Sequence, residues 1–152
     1  VSDDAPELFI DGRFRPASGA EPVFEAATER LLGKGPSAGT SDIDDAVAAS
    51  RKALQDWRTT AATERARLLE RLADALEARA DHTSELCTRE TGAPIAFSRH
   101  GNGVLPAAML RYYATLIQKV DLEEIRPSAT GHTIVRRDPV GVVGAIVPWN
   151  IP

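Results

Sequence analysis

DPVGVVGAIVPWNIP, residues Asp138 to Pro152, is the stretch on which the reading of this chain turns. Val140 to Val147 is apolar, small and uncharged, and it runs directly into Pro148-Trp149-Asn150. An apolar run without polar alternation suits a strand covered on both faces of a parallel sheet, with a helix to follow. Open α/β sheets bind their ligands outside the carboxyl ends of such strands. Asn150 sets a neutral amide donor at that end. The spacing therefore predicts an α/β protein whose last residues stand on the threshold of an active site.

Composition narrows the classes. The 152 residues, 43% of them hydrophobic and 26% charged, are enough for one soluble domain with a core. The net charge of −4 comes from interspersed acids and bases, so nucleic acid is not an expected partner. No apolar run reaches the roughly 18 residues that span a bilayer, so no membrane association is expected. The opening VSDDAPELFIDG lacks a basic segment followed by an apolar one, so no secretory signal is expected. A single cysteine, Cys87, excludes an internal disulfide framework and fits a reducing, cytoplasmic setting. His82, His100 and His132 are scattered without ligand spacing, so no metal site is expected and all three are placed on the surface.

Leu8-Phe9-Ile10, Asp11-Gly12 and Arg13-Phe14 read as a hairpin with an Asp-Gly turn. Val23 to Ala26 and Leu31 to Lys34 read as two more extended segments, the second stopping near Gly35-Pro36. From Ser41 the period becomes helical: Ser41 with Asp44 suggests a cap, and Ile43, Val47, Leu54 and Trp57 share a face. Thr63 is the expected cap of the next helix, with Leu68, Leu69, Leu72, Leu76 and Ala80 as its stripe. On that helix the spacing favours an Arg67–Glu70 pair and sets Glu70 against Asp74. Asp81 is expected to cap a shorter helix to Glu90, closed by Gly92 and Pro94. Gly101, Gly103 and Pro106 predict a kink near Asn102 before the helical run Met109 to Ile117. Leu122 to Arg126 and Thr133 to Arg137 read as paired strands joined by residues 127–131.

Several stretches together, FIDGRF, AVAASRKALQDWR, ERARLLERLADALEARAD, RETGAP, RYYA and RRDPVGVVGAIVPWN, resemble the NAD(P)-dependent aldehyde dehydrogenase superfamily in order and spacing. The resemblance covers nearly the whole chain and about the first third of such an enzyme. It implies the N-terminal part of that fold: short hairpins and helices of the cofactor-binding domain over residues 1–120, an oligomerisation hairpin over 121–138, and the first strand of the Rossmann-like sheet with its PWN turn over 139–152. The catalytic domain is not within the sequence. Where relatives read NPATGE, this chain has Glu25 to Arg30 without the proline and turn glycine, so that turn is expected to differ.

The resemblance implies oxidation of an aldehyde to a carboxylic acid, with NAD or NADP, through a cysteine thiohemiacetal and thioester. It also implies a homo-oligomer, dimer or tetramer. Asn150 read from the residues alone is either a helix cap or an oxyanion donor; the resemblance implies the donor. Ile146, Val147, Pro148 and Trp149, with Asn150, match positions lining the cofactor, although strand core is the other reading of Ile146 and Val147. Gly141 and Gly144 lack phosphate-loop spacing and suggest close packing instead. Cys87 precedes RETGAP on an apolar helical face and reads as a buried structural thiol, since the family nucleophile lies beyond Asn150. Glu85 and Glu90 sit on the same helix and are not read as the general base. Arg136 and Arg137 read as a solvated strand end or an intersubunit contact. The 152 residues by themselves are expected to be inactive. The alternative reading is a non-catalytic truncated fragment or assembly element.

Overall fold

The computed structural model describes residues 6–148. The Asp-Gly turn forms as expected. Strands β1 (Glu7–Ile10) and β2 (Arg13–Pro16) pair antiparallel around Asp11 and Gly12, both at positive φ (53° and 76°), the pair of values a two-residue turn needs to match strand twist. Strands β3 (Gly19–Phe24) and β4 (Leu31–Ser37) form a second ladder, with β4 running through Gly35 and Pro36 rather than stopping there. Between them the Glu25–Arg30 turn is closed by its own side chains. Thr28 Oγ1 donates to Glu25 Oε2 at 2.5 Å, and Glu29 takes the left-handed conformation (φ 57°) that a glycine would otherwise fill.

Helix α1 (Thr40–Trp57) starts one residue before Ser41, and its cap lies elsewhere than the spacing suggested. Gly39 is the N-cap residue, and the Asp42 carboxylate reaches back to accept its N–H at 2.9 Å. Asp42 is the better acceptor because it is shared: Ser18 donates to it through N (3.2 Å) and Oγ (2.5 Å), and Arg15 through a guanidinium nitrogen (2.9 Å). One buried carboxylate thus ties the first hairpin to α1.

Helix α2 (Ala62–Glu77) begins at Ala62, so Thr63 lies inside its first turn and caps nothing. It packs on α5 (Leu105–Ile117) through alanines: Ala66, Ala73, Ala107 and Ala114 are all buried. Side chains this small let the two backbones approach, and the cost is a thin core. Leu72, expected in the stripe, is 49% exposed. The expected Arg67–Glu70 pair is not the one formed: Arg67 binds Glu64 instead, and Arg111 of α5 gathers Glu70, Asp74 and Glu77 at 3.6, 2.7 and 2.9 Å. An opposite charge from the neighbouring helix relieves the Glu70–Asp74 repulsion.

Helix α3 (Ala80–Thr91) starts at Ala80, with Asp81 in its first turn rather than at its cap, and Gly92 closes it in the left-handed conformation (φ 75°). The Glu25 turn docks on this end: Arg89 donates to Glu25, and Ala26 N–H donates to the Arg89 carbonyl. The irregularity near Asn102 is a π-helical turn, Arg99–Val104, between the short α4 (Ile95–Ser98) and α5. An i→i+5 bond runs from Leu105 N–H to the His100 carbonyl, and Pro106 follows in the first turn of α5, where a missing N–H is tolerated. Gly103 is required there, because a Cβ would stand 2.7 Å from Ser84 Oγ of α3.

Strands β5 (Glu123–Ser128) and β6 (Gly131–Arg136) form the last ladder. Its turn is shorter than residues 127–131, because Pro127, Ser128 and Gly131 all belong to the paired register.

Candidate functional site

Residues 138–148 carry no ladder partner among the described residues, so the apolar run Val140 to Val147 forms no paired strand here. A strand covered on both faces exists through neighbours, and the six strands described are all committed to two-stranded hairpins. Val142 and Val143 instead lie along α1, where with Gly141, Leu54 and Trp57 they line a shallow apolar groove of about 250 Å³. Gly141 makes the bend (φ 121°), a conformation that side chains rarely adopt. The close packing expected of Gly141 and Gly144 is absent: a Cβ at either would meet nothing within 4 Å. Gly141 is explained by its backbone conformation, and nothing in the structure explains Gly144.

Beyond this bend the candidate site residues present bare apolar surface. Ile146 is 100% exposed and Val147 60%, and Pro148 is exposed as well. Strand core is therefore not their state here. Trp149 and Asn150 lie outside the described residues.

Cys87 is buried on α3 and, with Leu76, Leu86 and Pro106, lines a cavity of about 330 Å³. This agrees with a structural thiol. Glu85 and Glu90 are exposed on the same helix, and His82, His100 and His132 are exposed too. No group of three metal-ligating side chains occurs among the described residues, and no described helix is long and apolar enough to cross a membrane.

Strong electrostatics occur away from residues 146–148. Hydrogen bonds from Ser18 and Gly39 hold the Asp42 carboxyl far below the usual carboxylate range. Thr28 and Arg89 lower Glu25 likewise. Both are structural joints between hairpin and helix. Sequence reading passed over Arg58 and Arg65, which meet Arg136 and Arg137 around one groove. Along the sequence they look like solvated charges, and only the tertiary structure sets them around the same groove as Arg136 and Arg137.

A family model described as the aldehyde dehydrogenase family matches residues 14–152. Geranial dehydrogenase from Castellaniella defragrans is 39% identical over 154 residues, an alignment covering 98% of this chain and 32% of that protein. The crystal structure of Mycobacterium tuberculosis aldehyde dehydrogenase complexed with NAD+ superposes with a TM-score of 0.89 at 36% identity, over 97% of this chain and 32% of that one. PnpE in complex with nicotinamide adenine dinucleotide gives 0.89 at 36% identity, over 98% and 31%. The chain spans about a third of the length of the curated relatives it matches.

Proposed function

Because this chain belongs to the aldehyde dehydrogenase family and carries the N-terminal part of that α/β fold, we propose that the protein oxidises an aldehyde to a carboxylic acid with NAD or NADP. The observation that carries this reading is the family match over residues 14–152, which runs from the second strand of the first hairpin through Asn150.

The division of labour follows from residue chemistry. Ile146 and Val147 offer exposed apolar surface, which fits a wall against the ribose and nicotinamide of the cofactor, with Pro148 and Trp149 as its expected continuation. The bound cofactor supplies the hydride acceptor. Asn150 donates its side-chain N–H to the oxygen on which negative charge develops; a neutral amide does so without titrating, and fixed donors of this kind are among the largest catalytic terms. The burial of Cys87 on α3 supports a structural thiol rather than the nucleophile.

Residues 1–120 are the helical and hairpin part of the cofactor domain, 121–138 the oligomerisation hairpin and 139–152 the first cofactor strand. Ile125 and Ile134 are direct partners in β5–β6 and are 67% and 60% exposed, which supports a homo-oligomer, dimer or tetramer, formed through this hairpin. The lone free thiol supports a cytoplasmic setting.

Protein expressed from the native coding sequence is expected to reduce NAD or NADP, followed by absorbance, only when an aldehyde is added. Release of no carboxylic acid across aliphatic, aromatic and semialdehyde substrates would overturn the proposal.

A further inference from the structure

A groove of about 470 Å³ lies between the α1–α2 connection and the open end of the β5–β6 hairpin, lined by Arg58, Arg65, Arg136 and Arg137 together with Glu123 and Asp138. Four guanidinium groups face two carboxylates. Two of the four are engaged. Arg136 is held by Glu123 at 2.8 Å, and Arg137 donates to the Asp121 carbonyl at 2.8 Å and to Glu124 at 3.3 Å. Arg58 and Arg65 make no ion pair or side-chain hydrogen bond among the described residues. Arg65 Nε is shut away from solvent with no acceptor, the one such side-chain atom among those residues.

A buried donor left without an acceptor costs more than a hydrogen bond returns, and more still on a charged group. Native structures rarely keep one without an acceptor from outside, such as a water or ion. Here the fork that carries the orphaned Nε opens on a groove whose other cations are already neutralised in part. We propose that this groove is a binding site for an oxyanion, carboxylate or phosphate, gripped by Arg58 and Arg65. Planar guanidinium forks suit these groups because two parallel N–H bonds match two oxygens. Glu123 and Asp138 line the groove as well and repel any anion there, so binding requires that both forks together outweigh them.

The test is a titration of the 152-residue chain with inorganic phosphate, and separately with succinate, at constant ionic strength set by chloride. The arginine Nε–Hε NMR signals are the readout. A saturable shift of the Arg65 signal is expected with at least one of the two anions. Tighter binding of phosphate identifies a phosphoryl ligand, and tighter binding of succinate a carboxylate. In Arg58→Gln the dissociation constant is expected to rise at least tenfold, with the backbone amide spectrum unchanged. Arg65→Lys, which keeps the charge and the fold but loses the fork, is expected to bind at least tenfold more weakly too. A shift that grows linearly without saturation, equals that from chloride, or survives both substitutions would overturn the site.

Discussion

Asn150, Asp42 and Gly103 show three ways in which one residue matters to this protein. For Asn150 the proposed role concerns charge that appears only during reaction. Asn150→Ala in the protein expressed from its native coding sequence is expected to lower kcat by about 10²–10³, with KM changed by no more than a few-fold. Stopped-flow measurement of NADH or NADPH formation checks it; a drop seen only in KM would reassign the residue to substrate binding. For Asp42 the issue is a carboxylate stabilised by Ser18, Gly39 and Arg15. Its folded pKa lies below the unfolded value of about 3.9, so its contribution to stability is present above that value and is lost as pH falls through the folded one. Urea midpoints measured from pH 6 down to pH 2 (about the working range of such experiments) should fall less steeply in Asp42→Asn than in the parent. For Gly103 the issue is space. A methyl group there meets Ser84 Oγ at 2.7 Å, and Ser84 is pinned by its own bond to the Ala80 carbonyl. Gly103→Ala is expected to cost about 1–3 kcal/mol of unfolding free energy. Ser84→Ala in the same chain should recover part of it.

Among the elements, the α2–α5 pair decides most. Its seam is made of alanines, and Ala73 has no accessible surface. Enlarging such a position forces the helices apart, so Ala73→Leu is expected to destabilise the chain by about 1–3 kcal/mol, read from its urea midpoint. Substituting Leu72, which is half exposed on the same helix, with alanine should change it by well under that amount. The hairpins contribute differently. Isolated two-stranded ladders are marginal in water, and β1–β2 and β3–β4 owe their place to side chains that reach α1 and α3: Arg15 to Asp42 and Asp45, and Glu25 to Arg89. At the start of α1 the cap moved from its expected position because of partners distant in sequence. Ser41 and Asp44 had the right chemistry to cap α1, yet Asp42 does it because Ser18 and Arg15 converge there. Helix α2 begins before Thr63 and α3 before Asp81 because neither cap forms.

At the scale of the whole molecule, surface is the dominant fact. The chain exposes 11557 Å², whereas a compact monomer of this mass exposes about 7,500 Å². Large apolar side chains share in this exposure: Phe9, Phe14, Ile125, Ile134, Val140 and Ile146 all stand more than half exposed. Apolar surface on this scale drives association. The 152-residue chain is therefore expected to self-associate with rising concentration. Light scattering checks this, and Ile125→Asp with Ile134→Asp should reduce the effect. A monomer at every concentration would contradict both this expectation and the proposed role of the hairpin in assembly.

Local chemistry sufficed wherever the determinant lies within a few residues. The Asp11-Gly12 turn needs only two residues that tolerate positive φ, and the Gly92 stop needs only one. The order of motifs from FIDGRF to PWN was likewise readable without coordinates, as was the burial of Cys87 from the apolar face around it. The tertiary structure decided what depends on distant partners: which carboxylate caps α1, which acids Arg111 gathers, and that Arg58 and Arg65 meet Arg136 and Arg137. It also decided that Val140 to Val147 stands unpaired. A side chain's hydrophobicity states that it should be covered, but a ladder hydrogen bond needs a second strand, and no described strand is free to supply one.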